Sequence, residues 1–450
     1  MTLEQFKTYV NKKNIAVVGI GVSNTPLIRL LADMGAYVTA RDQKTAAQLG
    51  GVADVLEGLG VKLILGGGYL DGMTEDIIFK TPGMRIDAPP LVRAKEHGAV
   101  ITSEMEMFFQ LCPAEIIAVT GSDGKTTTTT LIYEMLKAAG YQCRLGGNIG
   151  KPLLSEIARI GKDDKIILEL SSFQLHTMTQ SPHTAVITNV SPNHLDVHKS
   201  MEEYIGAKEK IFQYQDADGI LALNFDNEIT KSFAAKARGT VIPFGKTAAE
   251  GVHIEDGVIY MRGHAVLRRG DIRLPGEHNV ENYMAAIAAV WGRVDSSAIT
   301  RVAETFGGVE HRIEFVREKD GVRYYNDSIA SSPTRARAGL YAFDQKIILI
   351  AGGYDKKIPF DAFGEDLVKR AKAVILLGAT AEKIKAAVEN APGEKPPIIS
   401  ARDLSDAVSK AAAAARSGDV VMLSPACASF DMFKNFEERG LLYKSLVNEL

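Results

Sequence analysis

The segment Ile116-Ile117-Ala118-Val119-Thr120 runs without a break into Gly121-Ser122-Asp123-Gly124-Lys125-Thr126-Thr127, and few folds accommodate such a join. An apolar and β-branched run of this length reads as a strand buried on both faces, which parallel sheets provide. The glycines make a tight turn, and a helix from about Thr126 to Ala139 carries the chain back. Consecutive backbone N–H groups at such a turn, backed by a helix N-terminus, hold phosphate oxygens. Lys125 adds a point charge for the outer phosphates, and the Thr126 hydroxyl suits Mg²⁺. The spacing G-x-x-G-K-T is two residues shorter than the common phosphate loop, which argues against an ordinary kinase or motor. Gly121, Ser122, Asp123, Gly124, Lys125, Thr126 and Thr127 therefore read as an ATP site.

The same alternation of strand, polar turn and helix starts three times. The first series opens with Ile15–Val18 and runs to Val100–Thr102; the second opens at Ile116; the third follows Phe306-Gly307-Gly308. Between Val241 and Arg273 short alternating runs punctuated by glycine predict a small antiparallel patch. At about 150 residues per domain, 450 residues also predict three domains. The expected fold is α/β, with three successive α/β domains. A Rossmann-like domain over 1–103 precedes a central ATP-binding domain over 104–307, with a mostly parallel sheet, and a Rossmann-like domain over 308–450.

Composition narrows the partners. Lys+Arg 52 against Asp+Glu 55 leaves a net charge of −3, so no basic field points to nucleic acid. Cys112, Cys143 and Cys427 are scattered, with neither zinc spacing nor a disulfide framework, as suits a reducing compartment. No apolar stretch reaches 18 residues, so a membrane span is not expected. Glu4 and Lys7 precede any apolar run, which is unlike a secretory leader. A cytoplasmic enzyme, working as a monomer, is the expectation.

Further polar clusters follow strands. Gly19-Ile20-Gly21-Val22-Ser23-Asn24 leads from strand to helix, and Asp42 stands where a ribose-binding acid would. A plain βα turn is the alternative, and Asn24 in the third glycine position predicts looser helix–strand packing. Glu169 closes the apolar run Ile166–Leu168, as a metal ligand or as a strand-end charge facing water. His194 and His198 stand four apart in the loop after another strand, without a third ligand at zinc-like spacing. Ser200–Phe212 reads as a helix, and at 100° per residue Lys208 falls on its apolar stripe. A lysine there must snorkel, pair, lose its charge or be chemically modified. Asn279 and Asn282, two amides one turn apart where an Ala-rich helix opens, bracket a base or a loop, or merely cap.

Taken in order, Gly121–Thr127, Gly147-Asn148-Ile149-Gly150, Glu169-Leu170-Ser171-Ser172-Phe173-Gln174-Leu175, the Asn189–His198 loop, His278–Asn282 and Asn326-Asp327-Ser328 resemble the Mur ligase family. The Glu169–Leu175 run and Ser424–Phe436 resemble the member that adds D-glutamate to UDP-N-acetylmuramoyl-L-alanine. The resemblance implies an ATP-dependent peptide ligase of peptidoglycan synthesis, releasing ADP and phosphate. It places Gly21, Val22, Ser23 and Asp42 near the UDP, and Asn148 against the muramoyl group, with Ser171 and Gln174 among the substrate contacts. Thr126 and Glu169 would hold one Mg²⁺; His194 and Lys208 would serve a second, with Lys208 carbamylated. Lys125, Glu169, His194 and Lys208 would be the catalytic set. Asn282, Arg312 and Asp327 resemble ATP contacts; Ser331, Lys356, Ser429 and Phe436 would line the D-glutamate pocket. Two positions depart from the family pattern: Ile329 stands where lysine is common, and Asn193 where aspartate is.

Rival readings are a sister ligase for another amino acid, a folylpolyglutamate synthase, a nicotinamide-dependent oxidoreductase built on the Gly19 turn, and a non-catalytic nucleotide-binding module. The oxidoreductase leaves Gly121–Thr127 without a role.

Overall fold

The structure is a computed structural model that describes residues 1–192 and 198–450. Its strands fall into three sheets. The first contains β1 (Asn14–Val18), β2 (Tyr37–Asp42), β3 (Lys62–Leu65), β4 (Ile77–Phe79) and β5 (Val100–Thr102) in the order β3-β2-β1-β4-β5, and every pair is parallel. The second holds β6 (Glu115–Thr120), β7 (Cys143–Gly147), β8 (Lys165–Glu169), β9 (Thr184–Ile187), β10 (Ile220–Asn224), β11 (Thr240–Phe244), β12 (Val252–Glu255), β13 (Val258–Met261) and β14 (His264–Arg268). Its order is β14-β13-β12-β11-β10-β9-β6-β8-β7. The third holds β15 (Glu314–Lys319), β16 (Val322–Asn326), β17 (Ile347–Ala351), β18 (Ala371–Leu376), β19 (Ile398–Ser400) and β20 (Val420–Leu423), in the order β15-β16-β20-β17-β18-β19. The α/β class with mostly parallel sheets is as expected from the sequence.

Contacts divide the chain into two compact units. One comprises Met1–Arg269 with Glu281–Val302, and the other Gly270–Val280 with Ala303–Leu450. The first unit holds two of the sheets and the second unit holds the third.

Topology explains which loops meet. In the second sheet β6 lies between β8 and β9, with Val119 beside both Glu169 and Val186. The loop after β6 therefore opens between Glu169, the last residue of β8, and Thr188, the first beyond β9. In the third sheet β20 lies between β16 and β17, so the loops after these strands open side by side. Ligands of parallel sheets bind at such carboxyl ends. Ile117, Ala118, Val119, Ile166, Ile167, Leu168, Ala185 and Val186 are fully buried, which fixes the floor beneath the loops. Each fully buried Ile, Leu or Val stabilises the sheet by about 1.5–3 kcal/mol.

The elements depart from the sequence reading in three places. The Val241 run is β11, which pairs parallel to β10; the antiparallel patch is confined to β12, β13 and β14. Strand β7, sequence Cys-Arg-Leu-Gly-Gly, carries two glycines and lacks a strand-like pattern. Strand β15, Glu-Phe-Val-Arg-Glu-Lys, is a charged edge strand, antiparallel to β16.

Candidate active site

The phosphate-loop residues meet their neighbours through close packing at two glycines. Gly121 has φ +153°, and a Cβ there would lie 1.9 Å from the Thr188 hydroxyl. Gly124, at φ +77°, would place a Cβ 2.3 Å from Asn282 Oδ1. The G-x-x-G spacing thus records two close approaches, one to the loop after β9 and one to the helix Glu277–Val290. Thr188 Oγ1 donates to the Asp123 carbonyl at 2.6 Å, and Asn189 Oδ1 accepts from the Asp123 N–H at 2.9 Å. Neither Thr188 nor Asn189 was assigned a part in the sequence reading. Lys125 Nζ lies 3.0 Å from the Gly121 carbonyl and 2.9 Å from that of Ser122, folded over the turn.

Glu169 is buried, so it is not a strand-end charge facing water. Its Oε2 accepts from Thr126 Oγ1 at 2.7 Å, and its Oε1 accepts from Asn148 Nδ2 at 2.8 Å. Asn148 can stand there because Gly147, at φ +93°, presses against the Glu169 carbonyl where a Cβ would lie 2.1 Å away. Carboxylate, hydroxyl and amide oxygens beside a phosphate loop form a hard donor set that suits Mg²⁺. No cluster of three or more His, Cys, Asp or Glu suited to a metal occurs among the described residues.

Lys208 does not snorkel. Its side chain is 1 % exposed, and Nζ donates to the Gly121 carbonyl at 2.6 Å and sits 4.6 Å from the centre of the Tyr204 ring. Burial, and then the positive charge of Lys125, hold its ammonium well below the ordinary lysine range, against a smaller opposing pull from Asp123. Tyr204, one turn earlier on the same face, has its hydroxyl 3.0 Å from Ser122 Oγ. Tyr204 thus touches the candidate site, and a tyrosine on an apolar stripe carries no local signal of that in the sequence. His198 lies 3.0 Å from Ser172 Oγ and edge-on to Tyr204. His194 and Asn193 lie outside the described residues.

Ser171 and Gln174 pair in a capping box on the short helix Ser172–Leu175. Their hydrogen-bonding groups are thereby turned towards each other. In the first sheet, Asp42 accepts from the Ile20 N–H at 2.6 Å and the Lys44 N–H at 2.8 Å, so one oxygen braces the turn after β1 and the other the turn after β2. Asn24 does not loosen that turn. It is buried, and its amide donates to the Val18 and Gly19 carbonyls, both at 3.0 Å. Gly21 accepts from Thr25, Ser23 precedes the helix Asn24–Asp33, and Val22 is 82 % exposed.

The second unit gathers its own group of residues. Asp327 is buried, accepts from Ser424 Oγ at 2.7 Å and from the Ile313 N–H at 3.3 Å, and burial pushes its carboxyl up to about 7. The segment before it is strained: His311 and Ile313, on either side of Arg312, have φ of 64° and 44°. For a β-branched residue such a φ is a true outlier, and strain of this kind collects at functional sites. Lys356 Nζ lies 3.3 Å from the Ser331 carbonyl, Ser429 is buried, and Phe436 stacks edge-on against His311. Arg439 ties these loops together, donating to Ser328 Oγ at 3.0 Å and to the Ser328, Cys427 and Ala428 carbonyls. Sequence reasoning missed Arg439, whose helix carries no sign of a buried charge. Ile329 is half-buried, and its N–H donates to the His311 carbonyl.

The chain is similar to known proteins. Residues 119–290 match a family model described as the Mur ligase middle domain, and residues 311–427 match one described as the Mur ligase, glutamate ligase domain. A UDP-N-acetylmuramoylalanine--D-glutamate ligase of Acetivibrio thermocellus is 55 % identical over 460 residues, covering 100 % of this chain and 99 % of that protein. A ligase of the same name from Clostridium perfringens is 52 % identical over 452 residues, covering 99 % of each. Among solved structures, the UDP-N-acetylmuramate-alanine ligase of Thermotoga maritima superposes with a TM-score of 0.60 at 20 % identity, covering 97 % of this chain and 99 % of that one.

Proposed function

The chain belongs to the Mur ligase family, and from that membership we propose how its residues divide the work. It is an ATP-dependent ligase that forms a C–N bond, joining D-glutamate to UDP-N-acetylmuramoyl-L-alanine in the synthesis of peptidoglycan precursors. Our reading has three domains: 1–103 for the uridine nucleotide, 104–307 for ATP and 308–450 for D-glutamate. It has the chain acting as a monomer in the cytoplasm. No helix among the described residues is long and apolar enough to cross a membrane.

In the first step an oxygen of the alanyl carboxylate attacks the γ-phosphorus of ATP. The bond to the bridging oxygen breaks, ADP leaves, and an acyl phosphate forms. In the second, the amine of D-glutamate attacks the acyl carbon. The tetrahedral intermediate expels inorganic phosphate, and the amine gives up its proton. Two anions meet in the first step, so positioning and charge compensation dominate its barrier. The N–H groups of Gly121–Thr127 cradle the phosphates, and the Lys125 ammonium offsets the charge on the outer ones. Asn282, Arg312 and Asp327 contact the nucleotide in this reading. Gly21, Val22, Ser23 and Asp42 receive the uridine end of the acceptor. Asn148, Ser171 and Gln174 face its muramoyl-alanyl end, and Ser331, Lys356, Ser429 and Phe436 take D-glutamate. Thr126 and Glu169 would hold one Mg²⁺, and His194 with a carbamylated Lys208 a second, supplying Lewis-acid compensation of phosphate charge. Lys208 suits carbamylation because burial favours its neutral amine, the form that adds to carbon dioxide.

The observation that carries this reading is the buried Glu169–Thr126 pair beside a phosphate loop whose first carbonyl receives Lys208. Phosphate release from ATP with Mg²⁺ and UDP-N-acetylmuramoyl-L-alanine tests it, with D-glutamate, L-glutamate and L-lysine in parallel. Release that depends on D-glutamate alone is expected. Release with L-lysine instead would assign the third domain to another amino acid.

A further inference from the structure

The helix Met201–Gln213 that carries Lys208 begins at a dense knot of charge. Ser200 caps it by accepting from the Glu203 N–H, and Glu203 reaches back to accept from the Lys199 N–H at 2.6 Å. The same carboxylate receives both terminal nitrogens of Arg85, at 2.7 and 3.2 Å, and His176 Nε2 stands 3.3 Å away. Arg85 comes from the loop that follows β4 in the first sheet. It also pairs with Asp87 at 2.8 Å, and Asp87 takes Lys199 Nζ at 2.6 Å. These pairs hold Glu203 well ionised, its carboxyl drawn down to about 2, chiefly by the Arg85 hydrogen bond.

The next residue, Tyr204, faces the opposite neighbour. Its hydroxyl meets Ser122 in the phosphate loop, and its ring lies under Lys208. The first turn of this helix is thus gripped from two sides, by the first sheet through Glu203 and by the phosphate loop through Tyr204. Arg85 also lines a small cavity of about 20 Å³ with Pro82 and Gly83 on one wall and Phe173, His176 and His198 on the other.

Arg85 and Glu203 are 25 % and 22 % exposed, and partly exposed pairs of this kind add little to stability. A two-toothed Arg–carboxylate contact does fix direction, because both N–H···O bonds must align. We propose that Arg85 and Glu203 are a positioning pair for the ligase reaction. They set the start of the helix, and with it Tyr204 and Lys208, against the loop that follows β4. The phosphate loop and the first-sheet wall of the cavity then keep one register. This rests on the reading that Lys208 serves the reaction.

The test uses Arg85→Met, Glu203→Gln and the double variant of the full chain, each followed by phosphate release and thermal melting. Small misplacements near a reacting centre are costly, so kcat should fall about five- to tenfold in each single variant. The KM for ATP should stay within about twofold, since the phosphate cradle is not touched. Melting should shift by only about 2 °C, as for a partly exposed pair. The double variant should be no slower than the worse single one, because one contact is lost in all three. Parental kcat in both single variants would overturn the proposal, as would losses that multiply in the double. If Arg85→Met does not fold, Arg85→Lys keeps the charge but loses the fork and gives the same reading. Lys208→Ala separates the two levels. An inactive Lys208→Ala beside fully active pair variants rejects the positioning role alone, whereas a fully active Lys208→Ala rejects the reading beneath it.

Discussion

Thr126 donates a 2.7 Å hydrogen bond to Glu169, joining the first turn of the phosphate-loop helix to the last residue of β8. The pair exists because β6 and β8 are neighbours in register, and because a carboxylate ends the apolar run Ile166–Leu168 of β8. Glu169→Gln keeps an acceptor for Thr126, turns an N–H donor towards Asn148, whose amide must flip to accept it, and removes the negative charge. Turnover should fall about 100-fold or more, as when a preorganised charge-stabilising group is lost. Melting should change little, since Thr126 keeps its acceptor and a flipped Asn148 amide accepts from the new N–H. Phosphate release and differential scanning on the same preparation check both halves; unchanged turnover would remove Glu169 from the site.

Lys208 gives a second expectation. Its nitrogen is buried against Gly121 and Tyr204, burial favours its neutral amine, and the proposed carbamate would make the group an anion. Lys208→Ala should lose about 100-fold in kcat. Short carboxylates such as acetate or propionate should restore part of it, because they return an anion to the vacated volume. Short amines should not. Rescue by amines in place of carboxylates would show that the ammonium itself is required.

Gly124→Ala probes the close approach to Asn282. The new methyl must displace Asn282 Oδ1, 2.3 Å away, while the backbone stays at φ +77°, which costs a non-glycine residue about 1–2 kcal/mol. The phosphate cradle is deformed from both causes. The KM for ATP should rise about tenfold or more, with the KM for the UDP-linked acceptor unchanged. Titration of each substrate at saturating levels of the others separates the two.

The ease with which these residues were found in the sequence varies for physical reasons. Gly121–Thr127, Glu169 and Lys208 were legible because each breaks a local pattern: glycines in a strand–helix join, an acid ending an apolar strand, a cation on an apolar stripe. Tyr204, Thr188 and Asn189 were not, because a tyrosine on an apolar stripe or a polar residue after a strand breaks nothing. Their roles arise only from which strands become neighbours. Arg439 and the Arg85–Glu203 contact, spanning 118 residues, depend on long-range packing that no local window contains. The sheets followed the same rule. Buried parallel strands such as β6 and β17 announce themselves, whereas glycine-rich β7 and charged β15 take their strand form from the partner beside them.

Glu104 supplies the pH-dependent test. It lies in the first turn of the helix Glu104–Leu111, almost wholly buried, with one oxygen accepting from the Leu154 N–H at 3.1 Å. Burial outweighs that hydrogen bond and pushes its carboxyl from 4.5 up to about 7. The folded form therefore binds the proton more tightly than the unfolded chain does. Its favourable contribution is complete below about pH 4.5 and is lost as pH rises through 7. The difference corresponds to a loss of about 3 kcal/mol at most on the alkaline side. Glu104→Gln retains a carbonyl for Leu154 and carries no charge at any pH. Its melting temperature should match the parent at about pH 5 and exceed it by several degrees at about pH 8.5. Melting curves of both proteins across that range decide the matter. A gap that is the same at both ends would mean that Glu104 keeps an ordinary carboxylate affinity for its proton in the folded chain.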